Sequence, residues 1–208
     1  MKILTCPAQL QHLEGILRKS LPLALPVFGA VLNINRGNPG QFEVLVDKWP
    51  EFGAMLARPS GEVASGDTGH CRKGGDWVCS GQHWERGTAG RAVGGREEVG
   101  GTGGGNWRPA PGVRVGSLSP SHVDLLNDTW PYGGNARSRR FLAEILVRFP
   151  QVCLQDRSGH PISWVLTDHF GTGTHSYTLP EHRRHGHMQV ALTVAAQRAH
   201  ARGFPTFG

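Results

Sequence analysis

The spacing of apolar positions changes from segment to segment, and each spacing predicts an element. Leu10, Leu13 and Leu17 recur at i, i+3 and i+7 with Ile16 beside them, which predicts an amphipathic helix over residues 7–19. Pro22 and Pro26 are read as ending it. Residues 27–34 (Val-Phe-Gly-Ala-Val-Leu-Asn-Ile) form a short apolar run and are read as a buried strand. Residues 35–40 have turn composition. Phe42, Val44 and Val46 then alternate with Glu43, Leu45 and Asp47, a second strand and the expected hairpin partner of the first.

The pattern resumes in the last hundred or so residues. Ser119-Pro120 opens a helix holding Val123, Leu125 and Leu126, and Gly133-Gly134-Asn135 is a loop. A helix over 136–148 buries Phe141, Leu142, Ile145 and Leu146. Strands at 152–155 and 162–166 flank a turn at 157–160, and a third strand covers 174–179. A basic loop, 180–185, leads to Gly186, which opens a helix running to Arg202. Gly203 caps that helix, and Phe204-Pro205-Thr206-Phe207 is read as the start of another strand. The order α-α-β-β-β-α-β predicts an α+β fold of hairpins backed by helices.

Between these parts the pattern vanishes. Residues 61–112 hold 16 of the 30 Gly and no Leu, Ile, Phe or Met. Their Val are limited to Val63, Val78, Val93 and Val99, and Trp77, Trp84 and Trp107 stand isolated. Six basic and six acidic residues cancel. So little apolar area cannot offset chain entropy, and disorder is expected. The predicted organisation is therefore an ordered 1–59, a Gly-rich insert at 60–113, and a second ordered unit at 114–208.

The 208-residue chain carries a formal charge of +6, which suits an anionic ligand. No Lys/Arg-rich run occurs, so nucleic acid is not expected as a partner. No apolar run reaches the ~18 residues of a membrane span. Cys6, Cys71, Cys79 and Cys153 follow neither a disulfide framework nor a zinc spacing, so free thiols, a reducing compartment and no metal are expected. Cys153 between Val152 and Leu154 reads as a core thiol. The glycines at 100–105 are not followed by Gly-Lys-Ser/Thr, so they make no phosphate loop.

The stretch that carries chemistry is Tyr177-Thr178-Leu179-Pro180-Glu181-His182-Arg183-Arg184-His185-Gly186-His187-Met188. A strand ends, two Arg and several His follow, and a helix starts at a Gly. A helix N-terminus exposes unpaired N–H groups and partial positive charge, and Gly lets a phosphate come close to the backbone. Arg183 and Arg184 add guanidinium donors. The spacing fits a pyrophosphate site or a solvated basic turn before an amphipathic helix.

Residues 178–186, Thr-Leu-Pro-Glu-His-Arg-Arg-His-Gly, resemble the signature loop of the glycine N-acyltransferase family. That family is similar in its C-terminal half to the Gcn5-related N-acetyltransferases, whose Arg/Gln-x-x-Gly-x-Gly/Ala motif is matched by Arg183-x-x-Gly186-x-Met188 except at its last position. Residues 31–39, 46–52, 126–130, 133–135 and 161–164 resemble further hallmarks of the same family. The resemblance implies an acyltransferase that moves an acyl group from acyl-CoA to the amine of glycine or a related amino acid. It implies a pyrophosphate held by Arg183, Arg184, His185, Gly186, His187 and Met188, and a pantetheine arm paired with Tyr177, Thr178 and Leu179. It further implies residence in mitochondria, with the cytoplasm as the alternative; a monomer that binds no metal is expected.

Three departures qualify it. The Gly-rich 61–112 replaces a longer structured stretch of the family. The family continues past the position of Gly208 with the rest of a strand, a helix and a hairpin, so an incomplete Gcn5-related fold behind a short helix–hairpin segment is expected, with Trp164 and Val165 on an uncovered sheet face. An inactive paralogue that at most binds CoA weakly is the alternative reading. Finally, Thr172 stands where the family places a carboxylate base. Thioester aminolysis needs a neutral amine. Asp168, His169 and His175 are the local candidates to take its proton, His175 preferred among them. An amine that arrives already deprotonated needs none.

Overall fold

The computed structural model describes residues 1–61, 77–80, 83–86 and 109–205, the two short stretches by their backbone alone. Helix α1 (Pro7–Lys19) forms as its spacing predicts, with Pro7 in the first turn and Leu10, Leu13 and Leu17 buried. The run expected as a strand is instead helix α2 (Leu25–Asn35). Pro26 does not end a helix there but sits in its first turn, where a missing N–H costs nothing. Every residue from Val27 to Asn33 is buried, and a helix enclosed on all sides shows no apolar stripe in its sequence.

With that run helical, β2 (Phe42–Val46) finds other partners. It pairs antiparallel with β1 (Lys2–Leu4) and with β3 (Ala54–Pro59). The sheet continues through β4 (Trp77–Ser80) and β5 (His83–Arg86) in the order β1-β2-β3-β4-β5. Both added strands fall inside the stretch expected to be disordered. The ladder Ala54↔Ser80 to Ala57↔Trp77 uses backbone groups of the β3 edge and needs no aliphatic content. Trp77, Val78 and Trp84 are also residue types that favour strands. The rest of 62–108 lies outside the described residues.

The second part is a four-stranded antiparallel sheet in the order β6 (Arg114–Gly116), β7 (Gln151–Gln155), β8 (Pro161–Thr167), β9 (Gly173–Thr178). Helix α3 (Val123–Thr129), entered through a 3-10 turn at Pro120–His122, and helix α4 (Ala136–Arg148) lie on one face. Helix α5 (His187–Ala201) lies on the other. Asn135 starts α4 by accepting from the amides of Arg137 and Ser138 at 3.0 and 2.9 Å. The turn before it admits only glycine at Gly133, where a Cβ would stand 1.8 Å from the Asn127 carbonyl oxygen. Trp164 and Val165 are not on an open face: both are buried, Trp164 under α3 and α4 and Val165 under α5.

The two parts lock together at the turn 168–171. Asp168 Oδ1 accepts from the amides of Phe170 and Thr172, both at 2.9 Å, which shapes the turn. Phe170 enters the core formed by α1, α2 and β2, where a Cβ on Gly29 would come within 1.8 Å of its carbonyl oxygen. Asn33 Nδ2 donates to the His169 carbonyl at 2.8 Å, and the His169 ring lies between Phe42 and Phe149, each 4.8 Å away centroid to centroid. Phe204 is buried in that same core after Gly203 (φ +78°) turns the chain off α5. It is not in a strand, and residues 206–208 lie outside the described ones.

Candidate active site

Among the described residues strand β9 is the edge of its sheet, and its pairing shifts. Tyr177 faces Trp164 and Thr174 faces Leu166, so His175 and Ser176 share the single residue Val165. This is a β-bulge, with His175 at φ +43°. The bulge sends the His175 ring inward, where Nε2–H donates to the Leu126 carbonyl at 2.7 Å. Trp130 stacks on the ring at 5.9 Å and Trp164 meets it edge-on at 6.0 Å. Burial lowers the pKa of His175, and a ring that donates through Nε2 keeps its lone pair on Nδ1. His175 is thus a neutral, enclosed imidazole with one nitrogen committed to the backbone.

The other proton acceptors considered from sequence have structural partners. Asp168 spends Oδ1 on its own turn. His169 packs among aromatic rings, with Nε2 3.5 Å from Glu144, and burial lowers its pKa. Thr172 closes the same turn, its carbonyl accepting from the Asp168 amide at 3.0 Å. Cys153 is fully buried, and its thiol is pushed up to about 12, which removes it as a nucleophile.

Beyond β9 the chain makes a 3-10 turn at Pro180–His182 and reaches α5 through two left-handed residues, Arg184 (φ +65°) and Gly186 (φ +73°). The first bond of α5 runs from the Val190 amide to the Gly186 carbonyl. Among the described residues nothing accepts from the amides of His185 to Gln189, and no side chain caps the helix. These amides open on a cleft of about 170 Å3 lined by Thr178, His182, Arg183, Arg184, Gly186, His187, Met188 and Gln189. Six of the nine residues singled out for the cofactor therefore meet there. Tyr177 lies under Arg183, Leu179 belongs to the core beneath α3 and α4, and His185 is exposed. His182 and Gln189 were missed, although both stand in or next to the motif.

The two arginines have different roles. Arg183 turns back on β9: Nε donates to the Thr178 carbonyl at 3.1 Å, Nη2 to the Tyr177 hydroxyl at 3.2 Å, and the guanidinium covers the Tyr177 ring. It fixes the loop and occupies a carbonyl expected to face the pantetheine arm. Arg184 makes no hydrogen bond or ion pair with any described residue and faces the cleft. Open amides, a helix dipole and an uncommitted guanidinium together define an anion site.

An anion cleft of this kind suits a ligand that carries a phosphate or pyrophosphate group. The family of aralkyl acyl-CoA:amino acid N-acyltransferases matches residues 1–74 and 104–150, and its C-terminal region matches residues 152–208. The chain is 30% identical to glycine N-acyltransferase of Bos taurus, over all of this chain and 88% of the relative. It is 29% identical to glycine N-phenylacetyltransferase of Bos taurus, over 97% of this chain and 86% of that one. The first of these alignments has 264 positions against 208 residues here, so the relative carries residues opposite gaps. The chain belongs to the aralkyl acyl-CoA:amino acid N-acyltransferase family and is an acyltransferase. Among the described residues no helix is long and apolar enough to cross a membrane.

Proposed function

We propose that the protein transfers an acyl group from acyl-CoA to the amine of glycine, releasing an N-acylglycine and CoA. The observation that carries this reading is the run of unaccepted amides at His185 to Gln189 beside Arg184, in a chain of this family. The amides and Arg184 hold the pyrophosphate, Arg183 keeps the loop in place through Tyr177 and Thr178, and the thioester extends along the outer edge of β9 toward the bulge. His175 lies three residues before Thr178, roughly 10 Å along the strand. There the amine nitrogen attacks the thioester carbonyl, the carbonyl oxygen takes up negative charge, and the C–S bond breaks to give the CoA thiolate. The amine arrives neutral and its remaining proton leaves to water, while His175, turned inward with Nε2–H on the Leu126 carbonyl, holds the bulge. The family resemblance supports residence in mitochondria, and the protein acts as a monomer.

A CoA-binding protein without turnover is the second reading. Thr172 in place of a carboxylate and the enclosure of His175 favour it. Purified protein with a panel of acyl-CoAs, with and without glycine, separates the two by thiol release and mass detection of the acylglycine. The proposal expects glycine-dependent release of about 1 s⁻¹ or more. CoA binding without such release overturns it in favour of the second reading.

A further inference from the structure

His187 is the first residue of α5 and lines the anion cleft, yet only 6% of it is exposed. Neither ring nitrogen hydrogen-bonds a described residue, and neither is sealed off: the side chain is packed in, but its nitrogens keep access to the solvent of the cleft it lines. Two more imidazoles lie against it, His185 at 5.7 Å and His182 at 6.4 Å. The structure assigns His187 a proton-linked role in binding: it takes up a proton from solvent as a pyrophosphate enters the cleft and donates the new N–H to a phosphate oxygen. This rests on the acyl-CoA reading above and adds to it a pH-dependent affinity for the nucleotide end of the co-substrate.

The physical case comes from what surrounds the ring. Without a ligand every nearby influence opposes a charge on His187. Desolvation first, then repulsion by His185 and His182, lowers its pKa, and it sits at the positive end of α5. The other charged groups of the loop, Arg183 and Arg184, have the same sign, and Thr178 and Gln189 in the cleft wall are neutral. Glu181 is the single carboxylate of the stretch from Thr178 to Gln189; it is exposed and does not line the cleft. A pyrophosphate reverses this balance because it brings negative charge to within reach of the ring.

Calorimetry on the full chain tests this with dephospho-coenzyme A, which keeps the pyrophosphate but lacks the phosphate monoester whose own pKa is near 6. Titrations between pH 6 and 8, in buffers of differing ionisation enthalpy, count the protons taken up. Uptake approaching one proton is expected in the neutral range, with affinity rising up to about tenfold per unit fall in pH. Pantetheine should bind with no uptake. His187→Gln should lose the uptake and flatten the pH dependence, whereas His12→Gln, beside Trp49 and remote from the loop, should change neither. Dephospho-coenzyme A that binds without uptake, or uptake that is unchanged in His187→Gln, overturns the inference and leaves the acyl-CoA reading intact. Failure to bind at all overturns both. If His187→Gln does not fold, the wild-type contrast between dephospho-coenzyme A and pantetheine decides alone.

Discussion

The turn 168–171 and the loop 183–188 stand at opposite ends of β9 and are built on opposite principles. At the turn the polar groups are tied to one another and to α2. Asp168 holds two amides, Asn33 holds the His169 carbonyl, and Phe170 is sunk in the core of α1, α2 and β2. At the loop the amides from His185 to Gln189 have no acceptor, Arg184 has no partner among the described residues, and two residues adopt left-handed backbone. The difference teaches where stability ends and binding begins. The N-terminal part buttresses one end of the edge strand, so the other end can leave donors unsatisfied in readiness for an anion.

The buttress breaks most sharply at Gly29. Gly29→Ala puts a methyl group 1.8 Å from a backbone oxygen that cannot rotate away. A loss of about 2–3 kcal/mol is expected in urea unfolding, at the upper end for overpacked sites. Asn33→Ala leaves the His169 carbonyl without its donor and should cost about 1–3 kcal/mol in the same assay. Neither change touches the loop, so the surviving folded fraction should bind CoA normally.

Acid sharpens the same contrast. His169 and His175 both have lowered pKa values in the folded state because they are buried. Below about pH 6.5 the unfolded chain therefore binds more protons than the folded one, so stability should fall as pH drops from 6.5 toward the lowered folded values. A chemical unfolding midpoint that stays flat from pH 7 to 5 contradicts the placement of these rings. The smallest stability effect belongs to the loop. A Cβ on Gly186 meets nothing within 4 Å, so Gly186→Ala costs only the left-handed backbone penalty, about 1 kcal/mol. Its effect on CoA affinity should be larger than its effect on unfolding.

Sequence periodicity found α1 and α4 with their ends, because each shows one apolar stripe and a clear boundary at Pro7 or Asn135. It failed at α2, where burial on all sides erases the stripe and Pro26 reads as a breaker. β1 and β6 have three residues each, too few for a period, and β4 and β5 follow from a free sheet edge rather than from apolar content. The cleft was legible because its chemistry lies in one contiguous motif. The fate of Arg183 and His175 was not, since both are decided by contacts with Tyr177 and Leu126 that no local pattern encodes.

The central claim is that the loop before α5 reads phosphate, and Arg184→Ala tests it most directly. Calorimetry should compare the wild type and this variant with CoA and with pantetheine, which lacks the pyrophosphate. Loss of one charge-assisted contact should weaken CoA about tenfold to a hundredfold, with pantetheine affinity unchanged. Equal weakening of both ligands, or no weakening of CoA, would contradict the account.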